Sequence, residues 1–239
     1  MPHRVLSQEE VARYLRLSVS DVAALVKRSD IPFEKRGPRI VFRKRDLDAW
    51  ASQRILRMEQ GGLRDFARRG EVQEHDLSRG HAIVSELLRN DCVEVALTSR
   101  SKPSVIRDMV KLAGKTGLAN DPAGLVQSLQ EREKLCSTAL ARGVALLHPR
   151  HHDPYAFEDS FLCLGRAVSP LPFGAVDGGL SDIFFLICCQ DDRIHLHVLA
   201  RICMMCAQTR MLEHVREAPD AAGVRGAVEA AESEVISGL

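Results

Sequence analysis

"RGVALLHPRHHDP", residues 142–154, decides how this chain is read. Val144 to Leu147 are small and branched apolar residues that read as a short buried strand. Pro149 forbids that strand from continuing as a paired central one, because it has no N–H to donate, so the chain must turn there. His148 is therefore expected at a strand end, rigidly held yet in reach of solvent. Three histidines within five positions leave open a metal site, a reactive centre or a solvated loop.

On either side of this stretch, from His81 onward, helical and strand patterns alternate. "IVSELL" suggests a short helix, "CVEVAL" a strand and "KPSVIRDMVKLAGKTGL" an amphipathic helix ending near Gly117. "DPAGLVQSLQEREKL" reads as a helix opened by Asp121 and Pro122. After the strand at "GVALL" come strands in "FLCLG" and "DIFFLICC", then a helix in "IHLHVLARICMMCAQ". Strands mixed with helices of this length predict an α/β sandwich built on a mixed sheet.

The N-terminal end has a different pattern. In "LSQEEVARYLRL" Ser7 and Glu10 have capping-box spacing, and Val11, Tyr14 and Leu15 follow at helical intervals. "SVSDVAALVKRSDI" repeats the design, with Ser18 and Asp21 opening it and Val22, Leu25 and Val26 forming its apolar face. "IPFEKRGPRIVFRKRDLDAW" then reads as two short strands around a Gly37-Pro38 turn, followed by a helix containing Leu47 and Trp50.

Charge divides along the same lines. Residues 1–57 hold 13 Lys and Arg against 7 Asp and Glu, whereas residues 81–239 hold 16 against 20. A net +1 overall thus conceals a basic N-terminal end suited to an anion such as nucleic acid. The segment 58–80 is polar, interrupted by Gly61, Gly62, Gly70 and Gly80, and reads as a linker in which Leu63, Phe66 and Ala67 have the makings of a short docking helix. No run approaches the roughly 18 apolar residues of a membrane span, and "MPHRVLSQEE" lacks the apolar core of a secretory signal. A cytoplasmic protein without membrane contact is expected, with its seven cysteines as reduced thiols.

Residues 4–57, "LSQEEVARYLRLSVSDVAALVKRSDIPFEKRGPRIVFRKRDLDAW" at their centre, resemble the excisionase-like winged helix-turn-helix family, related to the MerR DNA-binding module. The resemblance implies that the second helix enters the major groove of double-stranded DNA while the hairpin wing follows phosphates or the minor groove. It places Ser20, Lys27 and Arg28 on or near the recognition helix, and Arg36, Arg39, Arg43 and Lys44 on the wing. Basic side chains neutralising phosphates and polar helix residues reading base edges lead to the same expectation.

Residues 81 to about 235 resemble the enzyme IIA domain of the fructose, mannitol and nitrogen-regulatory branch of the bacterial phosphotransferase system. The resemblance is carried by "SELLRNDCVEVAL", "LQEREKLCST", "GVALLHPR", "PLPFGAVDGGLSDIFFLICC" and "HLHVLARI". It implies that His148 accepts a phosphoryl group from the histidine of the carrier HPr, that His195 is the second active-site histidine, and that Arg132 is the active-site arginine. Ser137 and Thr138 fill the hydroxyl positions. His148 lies 16 residues after Arg132 and 47 before His195, the family's spacing. The chain departs from the family in having Leu147 where proline is usual and Pro149 where glycine is common.

A neutral imidazole is a nucleophile at cellular pH, and its phosphoramidate can pass the group on. The transferring phosphoryl group spreads negative charge and needs donors around it: the planar fork of Arg132, with His195 and a hydroxyl of Ser137 or Thr138. A zinc reading of His148, His151 and His152 with Cys203 and Cys206, or with Cys188 and Cys189, is weaker, since "ICMMC" is apolar and buried reduced cysteine commonly behaves as a small hydrophobe. His151 and His152 are expected in an exposed loop, and His197 points away from His195 on the same helix.

The expected architecture is thus an α/β enzyme IIA-like sandwich with a mixed sheet (81–239), preceded by a linker (58–80) and a small winged helix-turn-helix domain (1–57). The expected function is a DNA-binding transcriptional regulator that senses phosphotransferase-system status through His148. Its catalysis is at most that of a phosphohistidine carrier, with no cofactor or metal, and with HPr-like donor, DNA and a homodimer partner as its contacts. Two rival readings are a phosphocarrier or protein-binding part of that system without transcription control, and an excisionase-like architectural factor.

Overall fold

In the computed structural model the chain divides into two compact units, Met1–Met58 and Glu59–Leu239. The structure describes residues 5–15, 17–37, 39–56, 77, 78, 80–150 and 156–238. Most of the segment read as a linker, with Leu63, Phe66 and Ala67, lies outside the described residues, as do His151 and His152.

Strand β1 (Val5–Leu6) leads into helix α1 (Gln8–Leu15), whose start is closed by Ser7 N donating to Glu10 Oε2 and Glu10 N donating to Ser7 Oγ. Helix α2 (Val19–Lys27) opens on a second capping box, Ser18 with Asp21. Strands β2 (Glu34–Arg36) and β3 (Arg39–Arg43) form an antiparallel hairpin, and β1 adds to the other edge of β3. Gly37, at φ +60°, supplies the left-handed conformation that this tight hairpin needs. Helix α3 (Lys44–Leu56) follows directly. Val11, Leu15, Val22, Leu25, Ile31, Phe42 and Leu47 form the core of this unit. The small strand β1 carries too short an apolar signal to be read from sequence.

The second unit begins with helix α4 (Ile83–Leu87), strand β4 (Leu88–Leu97), helix α5 (Lys102–Gly114) and helix α6 (Pro122–Leu135). Ser101 and Ser104 form the box that starts α5, and Asp121 accepts from Gly124 N to start α6. Helix α5 ends at Gly114, and Gly117 lies in the turn beyond it at φ +70°. Strands β5 (Val144–Leu147), β6 (Phe161–Pro172) and β7 (Leu180–Cys188) follow, then helices α7 (Asp192–Gln208), α8 (Met211–Glu217) and α9 (Ala221–Ser237).

The sheet order is β4-β6-β7-β5. The central β6–β7 pair is antiparallel and both outer pairs are parallel, so the sheet is mixed. Every residue of β5, and Ile183 to Cys188 of β7, is buried, the pattern of strands covered on both faces. Gly165 of β6 allows close packing: a Cβ there would meet Leu97 and lie 2.6 Å from Met109 Sδ of α5.

One charged pair is enclosed in this core. Arg201 of α7 and Glu232 of α9 are 3.6 Å apart with side chains 1% and 0% exposed. Glu232 also accepts from Val84 N at 2.9 Å, Ser85 N at 2.7 Å and Ser85 Oγ at 2.6 Å. A carboxylate from the last helix thus caps the first turn of α4, where exposed N–H groups favour an anion. Among the described residues no helix is long and apolar enough to cross a membrane.

Candidate functional site

Strand β5 runs parallel to β7, with Leu147 opposite Leu186, and delivers His148 at its C-terminal end. Leu147, unlike proline, carries an N–H and sits as an ordinary member of the strand. The imidazole of His148 is fixed on both nitrogens. Nδ1 lies 2.9 Å from the Leu146 carbonyl, and Arg132 Nε donates to Nε2 at 2.9 Å. A guanidinium can only donate, so Nε2 carries the lone pair and the proton resides on Nδ1, bonded to Leu146. The ring is bonded at both nitrogens, but at 2% exposure it is buried and not, as expected, in reach of solvent.

Arg132 comes from the last turn of α6 and is 1% exposed. Its Nη1 donates to the Cys136 carbonyl at 3.0 Å, while its Nη2 is buried without a hydrogen-bond partner among the described residues. An unspent donor of a desolvated guanidinium, beside an imidazole lone pair, is a place prepared for negative charge.

His195 arrives from α7, with its ring centroid 4.9 Å from that of His148 and the planes tilted by 48°. It stands in the first turn of a 17-residue helix whose start is capped by Asp191, accepting from Arg193 N at 2.6 Å and Ile194 N at 3.3 Å. The positive end of the helix dipole therefore lies at His195. His197, two residues on, is buried at 4% exposure.

The two hydroxyls are close to this cluster but already engaged. Ser137 Oγ donates to the Phe173 carbonyl at 2.9 Å, and Thr138 Oγ1 donates to Glu133. Neither is left to donate outward in this arrangement, and an uncommitted donor remains on Arg132 Nη2. Sequence reasoning passed over Glu133, although it adjoins Arg132 in "REKLCST". It passed over Lys102, which pairs with Glu133, and Asp191, which caps α7.

Cys203 and Cys206 are each 5% exposed within α7. Burial pushes the Cys206 thiol up to about 12 and the Cys203 thiol well above its ordinary value, against the deprotonation that a metal ligand requires. Among the described residues no group of three His, Cys, Asp or Glu is placed to hold a metal ion.

In the N-terminal unit Ser20 and Lys27 of α2 and Arg28 at its end are exposed. Arg36 and Arg39 face each other across the hairpin, both exposed, with Lys35 beside them. Lys35 completes this basic tip and was not singled out from sequence. Arg43 lies farther down β3 and pairs with Glu34. Lys44 is not on the wing. It is the first residue of α3, where it pairs with Asp48 at 3.3 Å and stands 5.0 Å from the centre of the Tyr14 ring. Helix α3 begins directly where β3 ends, and Lys44 is its first residue, with Asp48 one turn on as its partner.

Comparison with known proteins agrees with both halves. Residues 86–230 match the family "Phosphoenolpyruvate-dependent sugar phosphotransferase system, EIIA 2", and residues 5–55 match a helix-turn-helix domain. The nitrogen regulatory protein of Escherichia coli (strain K12) is 26% identical over 140 residues, covering 56% of this chain and 82% of that protein. The fructose-specific EIIABC component of the Bacillus subtilis phosphotransferase system is 23% identical over 137 residues, 56% of this chain but only 21% of that much longer protein. The crystal structure of nitrogen regulatory protein IIA-Ntr from Neisseria meningitidis superposes with a TM-score of 0.56 at 24% identity, covering 61% of this chain and 99% of that one. The chain belongs to the EIIA 2 family of the phosphotransferase system and carries a helix-turn-helix domain ahead of its enzyme IIA domain.

Proposed function

We propose that this protein is a DNA-binding regulator whose enzyme IIA domain registers phosphotransferase-system status through phosphorylation of His148. The observation that carries the reading is the buried cluster of Arg132, His148 and His195, in which Nε2 of His148 holds the lone pair. In the reaction, that lone pair attacks the phosphorus of a phosphohistidine on an HPr-like carrier. The P–N bond to the carrier breaks, its electron pair returns to the carrier imidazole, and a new P–N bond forms to Nε2. The proton stays on Nδ1, which goes on donating to the Leu146 carbonyl.

Arg132 Nε must release Nε2 for this to happen, and the same guanidinium then meets the phosphoryl oxygens, with the idle Nη2 as a second donor. The positive end of α7 favours the same charge. For the DNA half, support comes from the match to a helix-turn-helix domain and from the exposed basic residues of α2 and the hairpin. The test of the phosphoryl step is intact-mass measurement after incubation with phosphoenolpyruvate, enzyme I and HPr. One added phosphoryl group, acid-labile and absent from His148→Ala, is expected. A wild-type chain that stays unlabelled beside a competent donor contradicts the reading.

A further inference from the structure

We infer that Lys102 and Glu133 are positioning residues for His148, acting through the turn that anchors Arg132. The inference rests on the phosphoryl-accepting reading above, and it concerns side chains that make no contact with His148 themselves. The Glu133 side chain is 4% exposed, and its two oxygens are divided between two jobs. Oε2 meets Lys102 Nζ at 2.9 Å, and Oε1 accepts both donors of Thr138, the backbone N at 3.0 Å and the hydroxyl. Lys102 also stands 4.6 Å from the centre of the Phe173 ring, and the Phe173 carbonyl accepts the hydroxyl of Ser137. The turn at residues 136–138 is therefore gripped on both flanks by groups that Lys102 touches.

That turn has two connections to the site. Its Cys136 carbonyl holds Arg132 Nη1, and its Thr138 carbonyl accepts from Leu146 N at 3.1 Å, two residues ahead of His148. Removing the lysine leaves a buried carboxylate without its cation, and the carboxylate then recruits water or moves. Either response shifts the turn, and with it the fork that sets the Nε2 geometry. Lys102 itself is 30% exposed, so shortening its charge opens no cavity in the core.

The test uses the full chain, phosphorylated HPr as donor, and three proteins: wild type, Lys102→Met and the double variant Lys102→Met/Glu133→Gln. Glutamine keeps a carbonyl oxygen for the two Thr138 donors while removing the charge that needs Lys102. Lys102→Met should lower the maximum labelling rate by about 10- to 100-fold, the scale on which a small misplacement of a reacting group acts, with the half-saturating donor concentration unchanged. The double variant should recover most of that rate. The second readout needs no phosphorylation: the ¹⁵N resonance of His148 Nε2 should move in Lys102→Met, as the Arg132 bond weakens, and return in the double variant. An unmoved Nε2 resonance overturns the inference, as does a loss confined to half-saturation that Glu133→Gln fails to rescue, which would make Lys102 a docking residue for the donor. If wild type does not label at all, the phosphoryl reading fails, and the resonance still decides whether Lys102 and Glu133 set the His148 geometry.

Discussion

Arg132 Nε donates to His148 Nε2 at 2.9 Å, which assigns the proton of the imidazole to Nδ1 and the reactive lone pair to Nε2. In the proposed phosphoryl transfer the same guanidinium holds the lone pair at rest and then meets the phosphoryl oxygens. His148→Ala should abolish acid-labile labelling. Arg132→Ala should slow it by about 100- to 1,000-fold, the range for losing one preorganised donor to a developing charge. Quench-flow labelling with phosphorylated HPr measures both, and retention of the label in His148→Ala places the acceptor elsewhere.

Ser137 and Thr138 should differ from Arg132 in kind. Their hydroxyls donate inward, to Phe173 and Glu133, so Ser137→Ala is expected to change the labelling rate much less than Arg132→Ala does. Side-by-side rates for the two variants check this. An equal loss would show that Ser137 turns outward in the reacting complex.

The enclosed pair Arg201 and Glu232 makes a stability prediction. Burial pulls the Arg201 guanidinium down from its ordinary value while Glu232 holds it up. Glu232→Ala removes that carboxylate, orphans two N–H groups of α4 and leaves the buried Arg201 without its carboxylate partner, at a cost of about 3–5 kcal/mol. Urea unfolding followed by circular dichroism measures it. A change below about 1 kcal/mol, the scale of an exposed pair, would mean that water already reaches this site.

The hairpin tip makes a prediction about DNA. Arg36→Ala and Arg39→Ala should each weaken binding to all sequences and reduce the salt slope by about 1, as expected for phosphate contacts. Lys44→Ala should act mainly on stability, because Lys44 is engaged with Asp48 and Tyr14. Fluorescence anisotropy across a salt series separates the two effects. If Lys44→Ala reduces the salt slope as much as Arg39→Ala, the helix position does not keep it from the phosphates.

Much of this was legible because local rules and tertiary needs coincide. Ser18 with Asp21, Asp121 with its following proline, and the apolar run Val144 to Leu147 each announce an element that the fold then uses. The trio of Arg132, His148 and His195 was reached through resemblance, since no spacing rule brings the end of one helix, the end of a strand and the start of another helix together. What stayed hidden depends on contacts distant in sequence. Glu232 caps a helix about 150 residues away, at separations of 148 and 147, and no local pattern marks it. The burial of His148 was missed because strand ends are ordinarily exposed, and here Arg132 and His195 close over it. Lys44 was read with the basic run "FRKR", whereas the strand ends at Arg43 and Lys44 opens α3, paired with Asp48.

The most direct test of the whole account is the affinity of the full chain for DNA, phosphorylated and unphosphorylated, at one fixed salt concentration, with His148→Ala as control. On the proposed reading, phosphorylation adds about −1.5 to −2 charge to a chain whose first 57 residues carry 13 basic against 7 acidic side chains, and DNA binding is the property through which the proposal expects it to act. A coupling of about 1–3 kcal/mol predicts a change of about 5- to 150-fold in the dissociation constant, absent from His148→Ala. Equal affinities for the two forms, with an equal oligomeric state, would contradict the account and leave two independent domains on one chain.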